Sequence, residues 1–357
     1  MKIGILTQPL LRNYGGILQN YALQTVLRKM GHKVWTFDLL KYTWKDWSIV
    51  YIKTIVKKII GREAKFPITP TKKKQIEKPL RKFVHKNIAL TTRVRKITWD
   101  LVEKHNLDTL VVGSDQVWRP IYNYSIEDMF FRFADGKEIK KVAYSASFGV
   151  DQWEFSPSQT KDCALLAKKI DAISVREASG VELCKKYLGV EATHTLDPTL
   201  LLTAEDYNTL CKHIQKREPF VFAYILDMDE RKVAEIKSFA QAKGLPYFIK
   251  SADNDVKDSD SVELWLSYFR DAAFVVTDSF HGSAFSINYN KDFFVFDNAN
   301  RGNSRFDSLL SLLNLNHRMV ENINPNAQSI NWNEVNQKLN SERNRCYEWL
   351  ERAINRI

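Results

Sequence analysis

A chain of 357 residues is long for one core and comfortable for two domains. Its 44% hydrophobic and 27% charged residues mark an ordinary globular protein, with no apolar run long enough to span a membrane. The net charge of +11 is concentrated between Lys53 and Lys104, where sixteen Lys/Arg face four Asp/Glu; interleaved aromatics and nucleic-acid fold signatures are missing, which excludes a nucleic-acid partner.

In chain order, Met1 to Thr7 holds too short an apolar run for a signal peptide and reads as a first strand, Ile3 to Thr7. A loop from Gln8 to Gly16 leads into a helix with Leu18, Ala22, Val26 and Met30 on one face, stopped by Gly31. Val34 to Asp38 completes a βαβ unit. The pair Gly15-Gly16 suits an anion or a sugar approaching backbone N–H groups, and equally a flexible turn. It is not GxGxxG, so a dinucleotide fingerprint is absent. Residues 42–105 are less regular, a basic helical insertion. Within them Trp47 to Ile60 has helical periodicity, suited either to packing on its own domain or to an anionic membrane surface.

Four strands then end in polar residues: Asp108 to Val112 before Gly113-Ser114-Asp115-Gln116, Lys141 to Gly149, Ala172 to Glu177, and His194 to Pro198. A cleft lined by strand ends explains that pattern. Pro198 to Pro219 reads as a crossover. Beyond it lie strands at Phe220–Asp227, Tyr247–Lys250, Ala272–Thr277 and Asp292–Asp297, with helices at Asp229–Lys243 and near Val262–Phe269. A terminal helix runs from Glu342. The expected division is 1–200, 201–330 and a helical segment 331–357. Cys163, Cys184, Cys211 and Cys346 are scattered without a Cys-x-x-Cys pair, which fits a reducing compartment and neither a disulfide framework nor a zinc site.

The most informative stretch is Thr277-Asp278-Ser279-Phe280-His281-Gly282-Ser283, a strand end, a tight turn and a helix N-terminus. Asp278, Ser279 and His281 would sit at the mouth of the cleft, where unpaired N–H groups and the helix dipole favour an anion. His281 can give and take a proton near neutral pH, and Gly282 would let the backbone approach a ligand. Alone, such a histidine is as readily a satisfied structural group. Asp278 could orient it, act as a base, or cap the helix.

Asn13 to Leu23, Gly113 to Trp118, Ser174 to Glu177, Leu196 to Leu201 and Thr277 to Gly282, in that order, resemble the polysaccharide pyruvyl transferase family. The resemblance implies an α/β protein of two Rossmann-like domains facing across a cleft, as in glycosyltransferases of the B type, with the acceptor on the N-terminal and the donor on the C-terminal side. It implies transfer of pyruvyl from phosphoenolpyruvate, as co-substrate, to a hexose of a surface polysaccharide or its lipid-linked precursor, without a metal or other cofactor. His281 matches the family's His-Gly pair and would be the proton donor, with Asp278 beside it. Arg176 matches Ser-x-Arg and would clamp the donor's phosphate or carboxylate. Ser279, Gly282, Ser283, Lys250 and Arg305 complete the donor side; Asn13, Tyr14, Gly15, Gly16, Ser114, Asp115 and Gln116 form the acceptor side. Many members carry Arg two residues before the His, where this chain has Ser279, so either Lys250, Arg301 or Arg305 supplies that charge or the donor contact differs. The expected location is cytoplasmic and peripheral to the inner membrane face. Two alternatives stay open: a nucleotide-sugar-dependent glycosyltransferase on the same fold, and a non-catalytic carbohydrate-binding relative.

Overall fold

A computed structural model describes residues 1–40, 44–61, 64, 66–123, 125–251, 259–297 and 303–355. The first half runs β1 (Lys2–Leu6), α1 (Tyr14–Lys29), β2 (Lys33–Thr36), α2 (Trp44–Ile59), α3 (Pro70–Asn87), α4 (Trp99–Lys104), β3 (Thr109–Val112), β4 (Lys140–Ala146), α5 (Pro157–Ala167), β5 (Ala172–Val175), α6 (Ala178–Leu183) and β6 (Thr193–His194). The second runs α7 (Ala204–Cys211), β7 (Val221–Ile225), α8 (Glu230–Ala242), β8 (Tyr247–Ser251), α9 (Val262–Asp271), β9 (Phe274–Thr277), α10 (Phe280–Asn288), β10 (Asp292–Phe296), α11 (Ser304–Leu312), β11 (Met319–Val320) and α12 (Trp332–Asn355).

The strands form two parallel sheets, ordered β2-β1-β3-β4-β5-β6 and β11-β10-β9-β7-β8. Central strands such as β3, β7 and β9 are buried along nearly their whole length, which continuous Val, Leu and Phe runs satisfy only when helices cover both faces. The architecture is therefore the expected one, α/β with two Rossmann-like sheets. One hydrophobic core crosses between the halves, from Ile5 and Leu18 to Trp265 and Phe285.

Local signals explain most boundaries. Ser156 with Gln159, and Thr203 with Asp206, form capping boxes that start α5 and α7. Gly31, at φ +88°, ends α1 in a conformation that side chains avoid. Three features depart from expectation. Residues 42–105 contain the long helix α3, whose buried stripe Ile76, Leu80, Phe83 and Val84 is masked in sequence by dense lysine and an internal Pro79. The second sheet gains the two-residue edge strand β11. The terminal helix begins at Trp332, a full ten residues before Glu342.

Helix α12 leaves the second half and packs on the first. Lys140 Nζ donates to the Ile354 carbonyl (3.0 Å), Arg345 to the His194 carbonyl (2.9 Å), and the Leu196 N–H to Cys346 Sγ (3.3 Å). Trp349 lies against Tyr144. Among the described residues no helix is long and apolar enough to cross a membrane.

Candidate functional site

The carboxyl ends of β3, β4, β5 and β6 meet the β9–α10 turn around one buried arginine. Arg176 follows β5, and its side chain is 1% exposed. Its Nη1 donates to Asp197 Oδ2 (2.9 Å), its Nη2 to Ser147 Oγ (3.0 Å) and its Nε to Glu177 Oε1 (3.4 Å), while Asp115 lies 3.9 Å away. The guanidinium sits 4.7 Å from the centre of the Phe280 ring. Burial opposes the charge on Arg176, but Asp197, Glu177 and Asp115 together raise its pKa above the usual guanidinium value.

Asp197 is the second hub. Its carboxylate accepts from Arg176, from Ser114 Oγ (3.3 Å) and from the backbone N–H and hydroxyl of Thr199 (2.9 and 2.7 Å). His281 Nε2 stands 3.8 Å from the same carboxylate, within ion-pair reach when the ring is protonated. Burial pushes the Asp197 carboxyl up, yet His281 and Arg176 outweigh it and hold Asp197 well below the usual carboxylate range. The opposite wall of the imidazole is Gly15, in the first turn of α1: a Cβ there would fall 2.0 Å from Nδ1. Gly16 next to it leaves room for Asp115, whose Oδ2 would lie 3.1 Å from a Cβ. The N-termini of α1 and α10, one from each half, thus abut at the histidine.

Other expected site residues are placed differently. Asp278 does not face His281: its carboxylate accepts from the backbone N–H groups of Leu226 and Asp227 and from Lys232 Nζ (2.8 Å), tying β9 to the β7–α8 loop. The helix cap is Ser279, whose Oγ accepts from the Gly282 N–H (3.4 Å). Gly282 is small for its own Thr277, whose hydroxyl would be 2.2 Å from a Cβ, and Ser283 is wholly buried, its hydroxyl donating to the Ser279 carbonyl (3.4 Å). Tyr14 is an interface pin, its ring stacked on Trp265 and its hydroxyl donating to the Asp260 carbonyl (3.0 Å). Lys250 pairs with Asp260 (2.9 Å) in the same cluster. Asn13 is exposed at the start of α1. Ser114 is locked to Ser145 and Gln19, and Gln116 packs under Gly149.

Of the cations suggested for the charge missing at Ser279, Arg305 at the start of α11 is half-buried beside this centre. Burial and then the like charge of Arg176 push its guanidinium down to about 10, while Glu177 and Asp115 oppose that. Arg301 lies outside the described residues.

Residues 13–300 match the family described as polysaccharide pyruvyl transferase. The chain belongs to that family. The five stretches that resemble the polysaccharide pyruvyl transferases, far apart in sequence, end at this one centre, contributing Gly15, Asp115, Arg176, Asp197 and His281. No curated protein matches the sequence. Among solved structures, a UDP co-structure of MnaA from S. aureus is similar over 100% of this chain and 97% of its own, at 10% identity and a TM-score of 0.50. A UDP-GlcNAc 2-epimerase from Methanocaldococcus jannaschii covers 95% of this chain and 92% of its own, at 11% identity and a TM-score of 0.49. At such identity the likeness to the S. aureus structure speaks to the fold.

Sequence reasoning passed over Asp197, Ser147 and Glu177. Asp197 stood in a Leu-Asp-Pro-Thr stretch that reads as a boundary, with Pro198 opening a short 3-10 turn. Glu177 carries no signal beyond adjacency to Arg176, although it is wholly buried and accepts from Ser147 Oγ.

Proposed function

We propose that this transferase moves the pyruvyl group of phosphoenolpyruvate onto a hexose as a cyclic ketal. The observation that carries the reading is the seat of His281, wedged between Gly15 and the ionised Asp197 at the meeting of two helix N-termini. A general acid needs a counter-ion, a fixed orientation and an anion site beside it, and this seat supplies all three.

In this reading the imidazolium of His281 gives its proton to the methylene carbon of phosphoenolpyruvate. Positive character develops at C2, and a sugar hydroxyl oxygen bonds there as its proton passes to a base. The C2–O bond to phosphate breaks, releasing inorganic phosphate, and a second hydroxyl closes the ketal with loss of its own proton. Asp197 is the counter-ion of the acid. Asp115, which lies beside Gly16, would take the hydroxyl proton. Arg305 and the α1 and α10 N-termini meet the donor's phosphate and carboxylate, while Arg176, enclosed by carboxylates, shapes the site from within its wall. The reading needs no metal. The acceptor is a hexose of a surface polysaccharide or its lipid-linked precursor, met at the inner membrane face.

A thermal-shift titration with phosphoenolpyruvate, run beside a nucleoside diphosphate, tests the donor, because a ligand of the folded state raises the midpoint by mass action. A shift with phosphoenolpyruvate alone supports pyruvyl transfer. A shift with the nucleotide alone assigns a nucleotide-sugar transferase on the same fold. Phosphate release that requires an added saccharide then separates an enzyme from a carbohydrate-binding relative.

A further inference from the structure

Helix α2 is built in the reverse sense of a helix that packs on its own protein. Ile49, Ile52, Val56 and Ile59 recur at helical spacing along one stripe, and they are 53%, 59%, 51% and 77% exposed. Ile60 just beyond the helix is exposed as well. Among the described residues of its inner side Thr54 is buried, with Trp47, Tyr51 and Ile55 partly covered. Its inner side is tied down near the N-terminus and by Phe66: Trp47 Nε1 donates to the Pro67 carbonyl (3.4 Å), Arg95 pairs with Asp46 (3.4 Å), Tyr51 leans on Phe66, and Lys58 sits over the Phe66 ring.

The surroundings of this stripe are cationic. Lys53 and Lys57 flank it on α2 itself. Between α2 and α3 lies a groove of about 1310 Å³, and Lys74, Lys78 and Lys82, spaced four apart on the exposed side of α3, line it. An exposed apolar stripe flanked by Lys53 and Lys57, on an arm whose second helix exposes Lys74, Lys78 and Lys82, complements one partner chemistry: an anionic lipid surface, with acyl chains for the isoleucines and phosphates for the ammonium groups.

We propose that α2 and α3 form a membrane-docking arm, α2 lying in the interface of an anionic bilayer with its Ile/Val stripe turned inward and the α3 lysines on the headgroups. Arg12, two residues before Tyr14, lines the same groove. Docking through this arm therefore holds the entrance to the α1 side of the cleft at the membrane surface. The inference is independent of the transfer reaction, and its test reads binding alone.

The test is flotation of the full chain with vesicles of phosphatidylcholine containing phosphatidylglycerol, against vesicles of phosphatidylcholine alone, at low and high salt. The expected result is association with the anionic vesicles only, weakened by salt. A Lys74→Ser, Lys78→Ser, Lys82→Ser variant should lose about fivefold in partitioning for each lysine removed. An Ile52→Ser, Val56→Ser, Ile59→Ser variant should lose association while keeping its melting midpoint, since those side chains are already exposed. Failure of the wild-type chain to float with anionic vesicles overturns the proposal, as does equal flotation with neutral ones. Unchanged flotation of the Ile/Val variant does so too. A wild-type dimer that this variant dissolves, without flotation, assigns the stripe to a second copy of the chain and overturns it as well.

Discussion

Gly15 and His281 are in van der Waals contact so close that any side chain on the first would occupy the place of the second: a Cβ on Gly15 would lie 2.0 Å from Nδ1 and 2.2 Å from Cγ. Gly15→Ala should therefore displace the imidazole. The expected outcome is loss of kcat by about a hundredfold or more, the scale of general acid–base catalysis, with binding of phosphoenolpyruvate retained. Gly16→Ala meets Asp115 at 3.1 Å, a contact that a small shift relieves, and should cost far less. Steady-state kinetics on both variants checks the contrast; equal losses would mean the glycines serve the loop and not the histidine.

Asp197→Asn keeps the shape of the hub and removes its charge. Arg176 and Ser114 retain a partner oxygen, but the buried guanidinium loses its closest counter-ion, which should destabilise the fold by about 3 kcal/mol. Turnover should fall with it, through kcat and not through KM. His281→Ala should abolish turnover while leaving donor binding measurable. If the asparagine variant turns over at the wild-type rate once folded, Asp197 is a structural anchor only.

Asp278 gives the opposite expectation. Asp278→Asn leaves Lys232, whose side chain is 6% exposed, without its charged partner and should cost about 3 kcal/mol of stability. The kcat of the folded fraction should stay within a few-fold of wild type. Denaturant melts paired with activity per folded molecule decide it; a large kcat loss would return Asp278 to the chemistry.

His194 ties stability to pH. Its Nε2–H donates to the Arg176 carbonyl (3.1 Å), and burial lowers its pKa below the ordinary histidine value. The unfolded chain then takes up a proton more readily than the folded one, so this contribution is complete above about pH 6.5 and is lost as pH falls below it. His194→Gln should flatten the slope of melting midpoint against pH between neutrality and pH 5. His32, His105 and His317, which burial also lowers, add to the slope in the same sense, while Glu77 and Asp307, which burial raises, oppose it. Asp197, held low, contributes its own loss only below about pH 4.

The strands were legible because buried parallel strands are written as unbroken Val, Leu and Phe runs. Their polar ends announced a cleft for the same reason. What sequence could not convey was which end meets which. Asp278 and Asp197 are both aspartates just beyond strands, and only the pairing of β9 with β7 sends the first to Leu226 and Asp227 while the second turns to Arg176. Tyr14 sat in a motif beside the glycines, so it read as a ligand contact, yet its ring was committed to Trp265, some 250 residues on. Helix α3 was hidden by composition: a lysine-rich surface lowers its mean hydropathy far enough to obscure four buried side chains.

The return of α12 to the first sheet bears on how the chain is made. When the β6 segment is synthesised, the thiol that accepts from Leu196 N–H is still 150 residues away along the chain, and the arginine that holds the His194 carbonyl 151. The first half is therefore sealed only after the second has been made. A nascent chain must carry an uncovered face over β4 and an open edge at β6 until α12 has been made.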